Sequence, residues 1–247
     1  MDIKKNLGWI ISTAAVFVAV LFVSATQKKE NMLTLQFENF AGNEILKLDN
    51  VVYKNELNQP FTVTKFKYYI SNILLKRKDG KEFLFKEYFL VNEDEPESKN
   101  VLLKNIPMGE YESISFIIGV DSASNCSGAQ SGALDPVNGM FWAWNTGYIF
   151  LKLEGKSSFS KQPANIFEYH IGGYKAPANC IHKTELKLNL NVSENSKNKV
   201  NIKADVLEIL KTPIAIDFAK LSSVTDFHNA AMIADNYKDM FRVISQS

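Results

Sequence analysis

The sequence predicts an all-β fold, an antiparallel β-sandwich with long loops and a short C-terminal helix. Apolar and polar residues alternate with a period of two in several short stretches, the first at residues 33–38, which is the pattern of a half-buried strand. Turn-forming residues separate these stretches, as at Asp79-Gly80 and at residues 107–109. No long helical pattern alternates with them, which argues against a parallel α/β sheet.

The predicted elements belong to one domain of residues 26–247. The longest predicted strand, at residues 61–75, is rich in β-branched and aromatic residues, which favour strands. A helix is predicted near the C-terminus, because Asp226 is a suitable N-cap and apolar residues between 232 and 241 fall near helical spacing. The other predicted strands lie at residues 113–118, 148–153, 185–190 and 200–206.

The N-terminus has the organisation of an export segment. Lys4 and Lys5 precede an almost uninterrupted apolar run at residues 7–23, and residues 23–25 are small or tolerated at a cleavage site, as in a signal peptide. The run also approaches the ~20 residues that span a bilayer, so an uncleaved membrane anchor is the alternative for residues 1–25. Both alternatives predict an exported, periplasmic or cell-surface protein that meets the membrane only through this segment.

Composition and motifs narrow the class of function. The formal net charge is +1, whereas nucleic-acid binding needs a concentrated basic surface, so we expect no nucleic-acid partner. The chain has no Gly-x-Ser-x-Gly, P-loop, His-Glu-x-x-His or dinucleotide motif. No carboxylate pair stands out as an acid–base couple. We therefore predict a binding protein and not an enzyme.

The two cysteines, Cys126 and Cys180, form a lone pair. In an exported chain such a pair most often forms a disulfide, and we expect that bridge here, with free or metal-binding thiols as the alternatives. The spacing matches no zinc motif, because neither cysteine has a second one two to four residues away.

Two tryptophans and a histidine form the most distinctive pattern. Trp142 and Trp144 are two residues apart, so in an extended segment their indoles share a face. They are either core residues or the aromatic wall of a ligand or metal site, in which an indole can itself be modified. His170 ends a strand-like run before Gly172-Gly173, His228 lies at the predicted helix start, and His182 follows Cys180. Convergence of two histidines would make a site for copper, zinc, iron or nickel.

The long loop of residues 119–140 is rich in Gly, Ser, Asn and Asp, and loops of this length are often functional. Asp121 and Asp135 are weak candidates for calcium ligands, because their carboxylates are hard oxygen donors. The acidic and amide residues of this loop do not follow EF-hand spacing.

These motifs resemble those of the MbnP-like copper-binding family. The matching segments cover roughly residues 33–243, and the most specific of them is Met140-Phe141-Trp142-Ala143-Trp144-Asn145-Thr146-Gly147-Tyr148. Further matches are Glu154-Gly155, the Phe-x-x-His-x-Gly motif at residues 167–172, and residues 65–73 and 233–237.

The resemblance implies an exported protein of copper acquisition, associated in some members with methanobactin uptake. It implies copper held by histidines, with His170 as the first ligand, and a tryptophan, either Trp142 or Trp144, oxidised to kynurenine by a haem-containing partner. An outer-membrane transporter is a further implied partner. Family members carry a histidine after the loop asparagine, whereas Cys126 stands in that place. Three outcomes therefore stay open: His228 is the second ligand, Cys126 itself ligates, or the domain is a metal-free module that recognises a glycan, peptide or protein.

Overall fold

The structure is a computed structural model that describes residues 31–142, 147–176 and 178–247. The predicted signal peptide or anchor at residues 1–25 and the side chain of Trp144 lie outside these ranges. Within them, no helix combines the length and the apolar character that crossing a membrane requires.

The described residues form 17 strands and three α-helices. The helices are short and lie at α1 Ser122–Cys126, α2 Val206–Ile209 and α3 Phe227–Tyr237. The strands are β1 Met32–Ala41, β2 Glu44–Ile45, β3 Tyr53–Lys54, β4 Pro60–Arg77, β5 Glu82–Asn92, β6 Asn100–Lys104, β7 Gly109–Ile118, β8 Phe141–Trp142, β9 Gly147–Tyr148, β10 Leu151–Lys156, β11 Ile166–Ile171, β12 Tyr174–Lys175, β13 Ala178–Asn179, β14 His182–Val192, β15 Lys197–Asp205, β16 Ser223–Val224 and β17 Phe241–Gln246.

Two sheets carry the fold. The smaller has the order β17-β15-β1-β2, with β6 also paired to β1, and the larger has the order β14-β7-β4-β10-β11-β16, with β3 and β5 also paired to β4. The hairpins β8–β9 and β12–β13 stand apart from both sheets. Aromatic rings join the sheets, because Phe37 of β1 packs edge-on against Phe116 of β7 and Tyr68 of β4. Burial of such rings is the main favourable term that holds two sheets face to face.

The predicted all-β sandwich is confirmed, and its sheets are mixed. Strands β1 and β15 pair in parallel from Met32↔Lys197 to Phe40↔Asp205, and β11 pairs in parallel with β16. Alternation of apolar residues reports which face of a strand is buried and carries no information on the direction of its neighbour. The predicted C-terminal helix is also confirmed as α3, which Asp226 caps by accepting from the Asn229 N–H. Its apolar pattern ends at Tyr237, and Phe241 already belongs to β17.

Candidate functional site

Trp142 packs against the turn that follows β11. Its indole is 6% exposed, and its six-membered ring occupies the space next to Gly172, where an added Cβ would lie 2.8 Å from Cζ3 and would overlap the carbonyl oxygen of Tyr148. Only glycine permits this approach, which explains the glycine two residues after His170. Trp142 therefore links the β8–β9 hairpin to the end of β11. Its partner in the sequence pattern, Trp144, falls outside the described residues.

A buried asparagine holds the other side of the hairpin. Asn125 of α1 is 3% exposed, and its Oδ1 accepts from the Tyr148 N–H at 3.0 Å while its Nδ2 donates to the Val120 carbonyl at 2.6 Å. The Tyr148 hydroxyl donates to the Leu134 carbonyl at 2.9 Å and accepts from the Gln130 N–H at 3.1 Å. Hydrogen bonds made by the backbone N–H and by the hydroxyl of Tyr148 thus hold the long loop against the β8–β9 hairpin.

The predicted disulfide is not formed. Cys126 is exposed at the end of α1, where its thiol lies 3.4 Å from the Tyr174 hydroxyl. Cys180 is buried, and its thiol donates to the Gly172 carbonyl at 3.3 Å. Burial raises the pKa of Cys180 to about 12, so this side chain is a thiol at neutral pH. The disulfide was predicted because an exported chain with two cysteines usually bridges them, whereas the two side chains contact different partners.

His170 lies on the outer face of the larger sheet, in a half-buried pair with a carboxylate. Its Nε2 is 2.9 Å from Glu154 Oε1 on the neighbouring strand β10, and Glu154 Oε2 is 3.0 Å from the Lys65 ammonium on β4. The hydrogen bond to His170 and the contact with Lys65 lower the pKa of Glu154 to about 2. An ionised carboxylate only accepts hydrogen bonds, so Nε2 carries the proton. In the neutral ring, Nδ1 is then the nitrogen with a free electron pair.

Two lysines beside this pair tether the loop that leads to Trp142. Lys152, which lies directly across from His170 on β10, donates to the Gly139 carbonyl, and Lys67 of β4 donates to the Asn138 carbonyl at 3.4 Å. Sequence reasoning singled out neither lysine, nor Glu154 as the partner of His170. The register of β4, β10 and β11 places these side chains together, and period-two alternation alone does not specify register.

His228 lies exposed in the first turn of α3. Because β16 runs parallel to β11, with Val224 opposite Tyr169, α3 begins at the end of β11 that carries His170. Among the described residues no group of three or more His, Cys, Asp or Glu side chains is arranged to hold a metal ion. The pairing of His170 with His228 therefore stays a prediction.

Both calcium candidates cap short helices. Asp121 accepts from the Ser124 N–H at 3.1 Å and from the Tyr88 hydroxyl, and Asp135 accepts from the Val137 N–H at 2.9 Å. Capping satisfies donors that a helix start leaves open. The structure thus supplies a local reason for both carboxylates, while calcium binding stays untested.

The third histidine, His182, lies at the start of β14 and packs against α3. Its Nε2 is buried without a hydrogen bond and is 3.6 Å from Asp235 Oδ1 of α3, and its ring packs edge-on against Tyr237. Burial lowers the pKa of His182, although Asp235 and Asp239 raise it and Lys238 adds to the lowering. The folded protein therefore resists protonation at this ring.

We expect this histidine to make stability depend on pH. In the unfolded chain the ring binds its proton as the pH falls through ~6.5, whereas in the folded chain it does so at lower pH. The contribution of His182 to the free energy of unfolding is therefore fully present above pH ~6.5 and decreases as the pH falls below that value. The midpoint of thermal unfolding, measured between about pH 7.5 and about pH 5.5, should fall less in His182→Gln than in the unmodified protein. Equal slopes for the two proteins would contradict this.

Comparisons with known proteins agree with the fold and with the motifs. The MbnP family model matches residues 30–228. Among solved structures, MbnP from Methylosinus trichosporium is similar with a TM-score of 0.51, at 14% sequence identity, over 77% of this chain and 80% of that chain. At this identity the likeness shows the fold alone. A comparison with curated proteins gives no match.

Proposed function

This chain belongs to the MbnP family, and we propose that it is an exported copper-binding protein of copper acquisition, with His170 as the first ligand. It acts by binding and not as an enzyme. The observation that carries the proposal is the Glu154–His170 pair, at 2.9 Å. Histidines that bind metals commonly donate their other ring N–H to a carboxylate, which sets the tautomer and makes the ring a better donor. Here Glu154 orients the ring and leaves Nδ1 for the metal.

The donor set fits copper in part. Imidazole suits copper, and a thiolate favours Cu(I), so His170 needs a second ligand of either kind. His228 is our first choice, because α3 begins at the His170 end of β11. Cys126 is the alternative, because its exposed thiol is not bridged and lies against Tyr174, four residues after His170. When bound, copper would supply the redox-active centre beside which a tryptophan is oxidised.

The surrounding residues shape this region. The Trp142 ring packs against Gly172, two residues after His170. Lys67 and Lys152 hold the loop before Trp142 through its carbonyl groups at residues 138 and 139. We propose the periplasm or cell surface as the location, with residues 1–25 as signal peptide or anchor. The proposed partners are a haem-containing protein that oxidises Trp142 or Trp144 to kynurenine and an outer-membrane transporter, in a methanobactin-linked context.

Copper content tests the ligand assignment. We expect about one copper per chain by elemental mass spectrometry of the protein exported in its native setting, and loss of most of it in His170→Ala. Glu154→Gln should weaken copper affinity by about tenfold, because it removes the charge that orients and polarises the ring. His228→Ala and Cys126→Ser, compared side by side, identify the second ligand.

The matched control is His182→Ala, which removes a histidine that packs against Asp235 and Tyr237 of α3 and should keep its copper. Unchanged copper in His170→Ala would refute the assignment of this ligand. If the unmodified protein takes up no copper and its intact mass shows no oxidised tryptophan, the metal-free recognition module becomes the better description.

A further inference from the structure

Strand β5 leaves one edge of the larger sheet open. Within the described residues it pairs with β4 alone, from Lys76↔Glu82 to Lys67↔Asn92. The Arg77 N–H donates to the Lys81 carbonyl at 2.9 Å in the connecting turn. Since the hydrogen-bonded pairs of an antiparallel ladder alternate, the N–H and C=O groups of Glu82 and Leu84 face away from β4. They form a row of donors and acceptors that another strand can pair with.

The side chains along this edge are apolar at the centre and charged at both ends. Leu84 is 50% exposed, Phe83 and Phe85 are half-buried, and the flanking charged residues are exposed. An exposed apolar strand edge is the kind of surface that natural proteins protect or pair. The flanking charged residues are Lys81, Glu82, Lys86 and Glu87.

The order of charges is complementary to itself. Residues 81–87 read Lys-Glu-Phe-Leu-Phe-Lys-Glu. When a second copy runs antiparallel about a two-fold axis at Leu84, Leu84 faces its own copy, Phe83 faces Phe85 and Glu82 faces Lys86. The pairing of β5 with β4 shifts by one residue opposite Lys86 and Glu87, so the Glu82–Lys86 pairs lie at the two ends of the regular ladder. Opposite charges and aromatic pairs across strands stabilise a ladder, whereas like charges destabilise it. Charges of one sign at these positions would repel each other in this register.

We propose that two copies of this chain associate through their β5 edges in the register centred on Leu84. The outward-facing N–H and C=O of Leu84 then pair with those of the other copy, as a two-fold antiparallel ladder requires. The two larger sheets become one continuous sheet. This dimer does not depend on copper, so its test is independent of the proposed function.

Charge reversal tests the register. The full chain is extracted in mild detergent, and light scattering is expected to give the molar mass of a dimer. Glu82→Lys alone puts two lysines opposite each other at two symmetry-related places, and Lys86→Glu alone puts two glutamates there. Each is expected to weaken the dimer about tenfold or more. The double variant E82K/K86E restores it, and an equimolar mixture of the two single variants forms a mixed dimer.

The control is Glu56→Lys, which makes the same charge change at an exposed turn and should leave the mass at two chains. A cross-link supplies a second measurement, in a Cys126→Ser background. Leu84→Cys should form a disulfide between copies under mild oxidation, because directly opposed residues lie within disulfide reach. Leu57→Cys, at a comparably exposed leucine outside the edge, should not. A single-chain mass for the unmodified protein, or a dimer that neither single reversal weakens, would overturn the proposal.

Discussion

Replacing Gly155 with alanine is expected to destabilise the protein by about 4 kcal/mol or more. An added Cβ would overlap the Thr62 carbonyl oxygen and would lie 2.6 Å from Cζ of Phe167. The backbone comes so close because the pairing of β4 with β10 shifts by one residue between Glu154 and Gly155. Backbone atoms in a central strand cannot move aside as a flexible side chain can. Since a typical domain is stable by only about 5–15 kcal/mol, this loss is a large part of the total free energy of unfolding.

Urea unfolding followed by circular dichroism measures this effect, and the yield of exported protein serves if the variant is too unstable to purify. Gly80→Ala is the matched control. Gly80 lies in the β4–β5 turn at φ +84, with nothing within 4 Å of an added Cβ. The alanine there should therefore lower the free energy of unfolding only by the cost of a left-handed backbone, about 1–2 kcal/mol. If Gly155→Ala unfolds at the same urea concentration as Gly80→Ala, the close approach of Thr62 is not a constraint in solution.

Replacing Asn125 with alanine is expected to cost about 3 kcal/mol and to release the hairpin that carries the tryptophans. The change removes the acceptor for the Tyr148 N–H and the donor to the Val120 carbonyl. Both groups are then buried without partners, and each such loss costs about 1–3 kcal/mol. Because Tyr148 belongs to β9, the consequence reaches the segment between Trp142 and Gly147.

Urea unfolding gives the stability change, and tryptophan fluorescence of the folded variant reports the environment of the hairpin. We expect an emission shift to longer wavelength as the Trp142 indole, now 6% exposed, gains contact with water. Cys126→Ser changes the next residue along α1, whose side chain is exposed, and should alter stability by no more than about 0.5 kcal/mol. A variant at Asn125 with unchanged stability and emission would mean that other contacts hold the hairpin.

From the sequence it was possible to predict which types of residue form the candidate site. The Trp-x-Trp segment, the His170 motif and Glu154-Gly155 are visible as motifs, and they identify the family. The partner of His170 was not visible, because Glu154 lies 16 residues away and meets it only through the register of β10 and β11. The disulfide was predicted from compartment and count, yet the Cys126 and Cys180 side chains face Tyr174 and Gly172 instead.

The amino-acid sequence determined the class of fold, because the period of apolar residues selects strands and buries one face of each. It also determined the local details that depend on neighbouring residues alone, such as the Asp226 cap of α3. Only the tertiary structure decided the parallel pairing of β1 with β15, the Glu154–His170–Lys65 contacts and the open edge of β5. Each of these joins residues distant along the chain, and their alignment follows from how whole strands pair and pack, which no local pattern encodes.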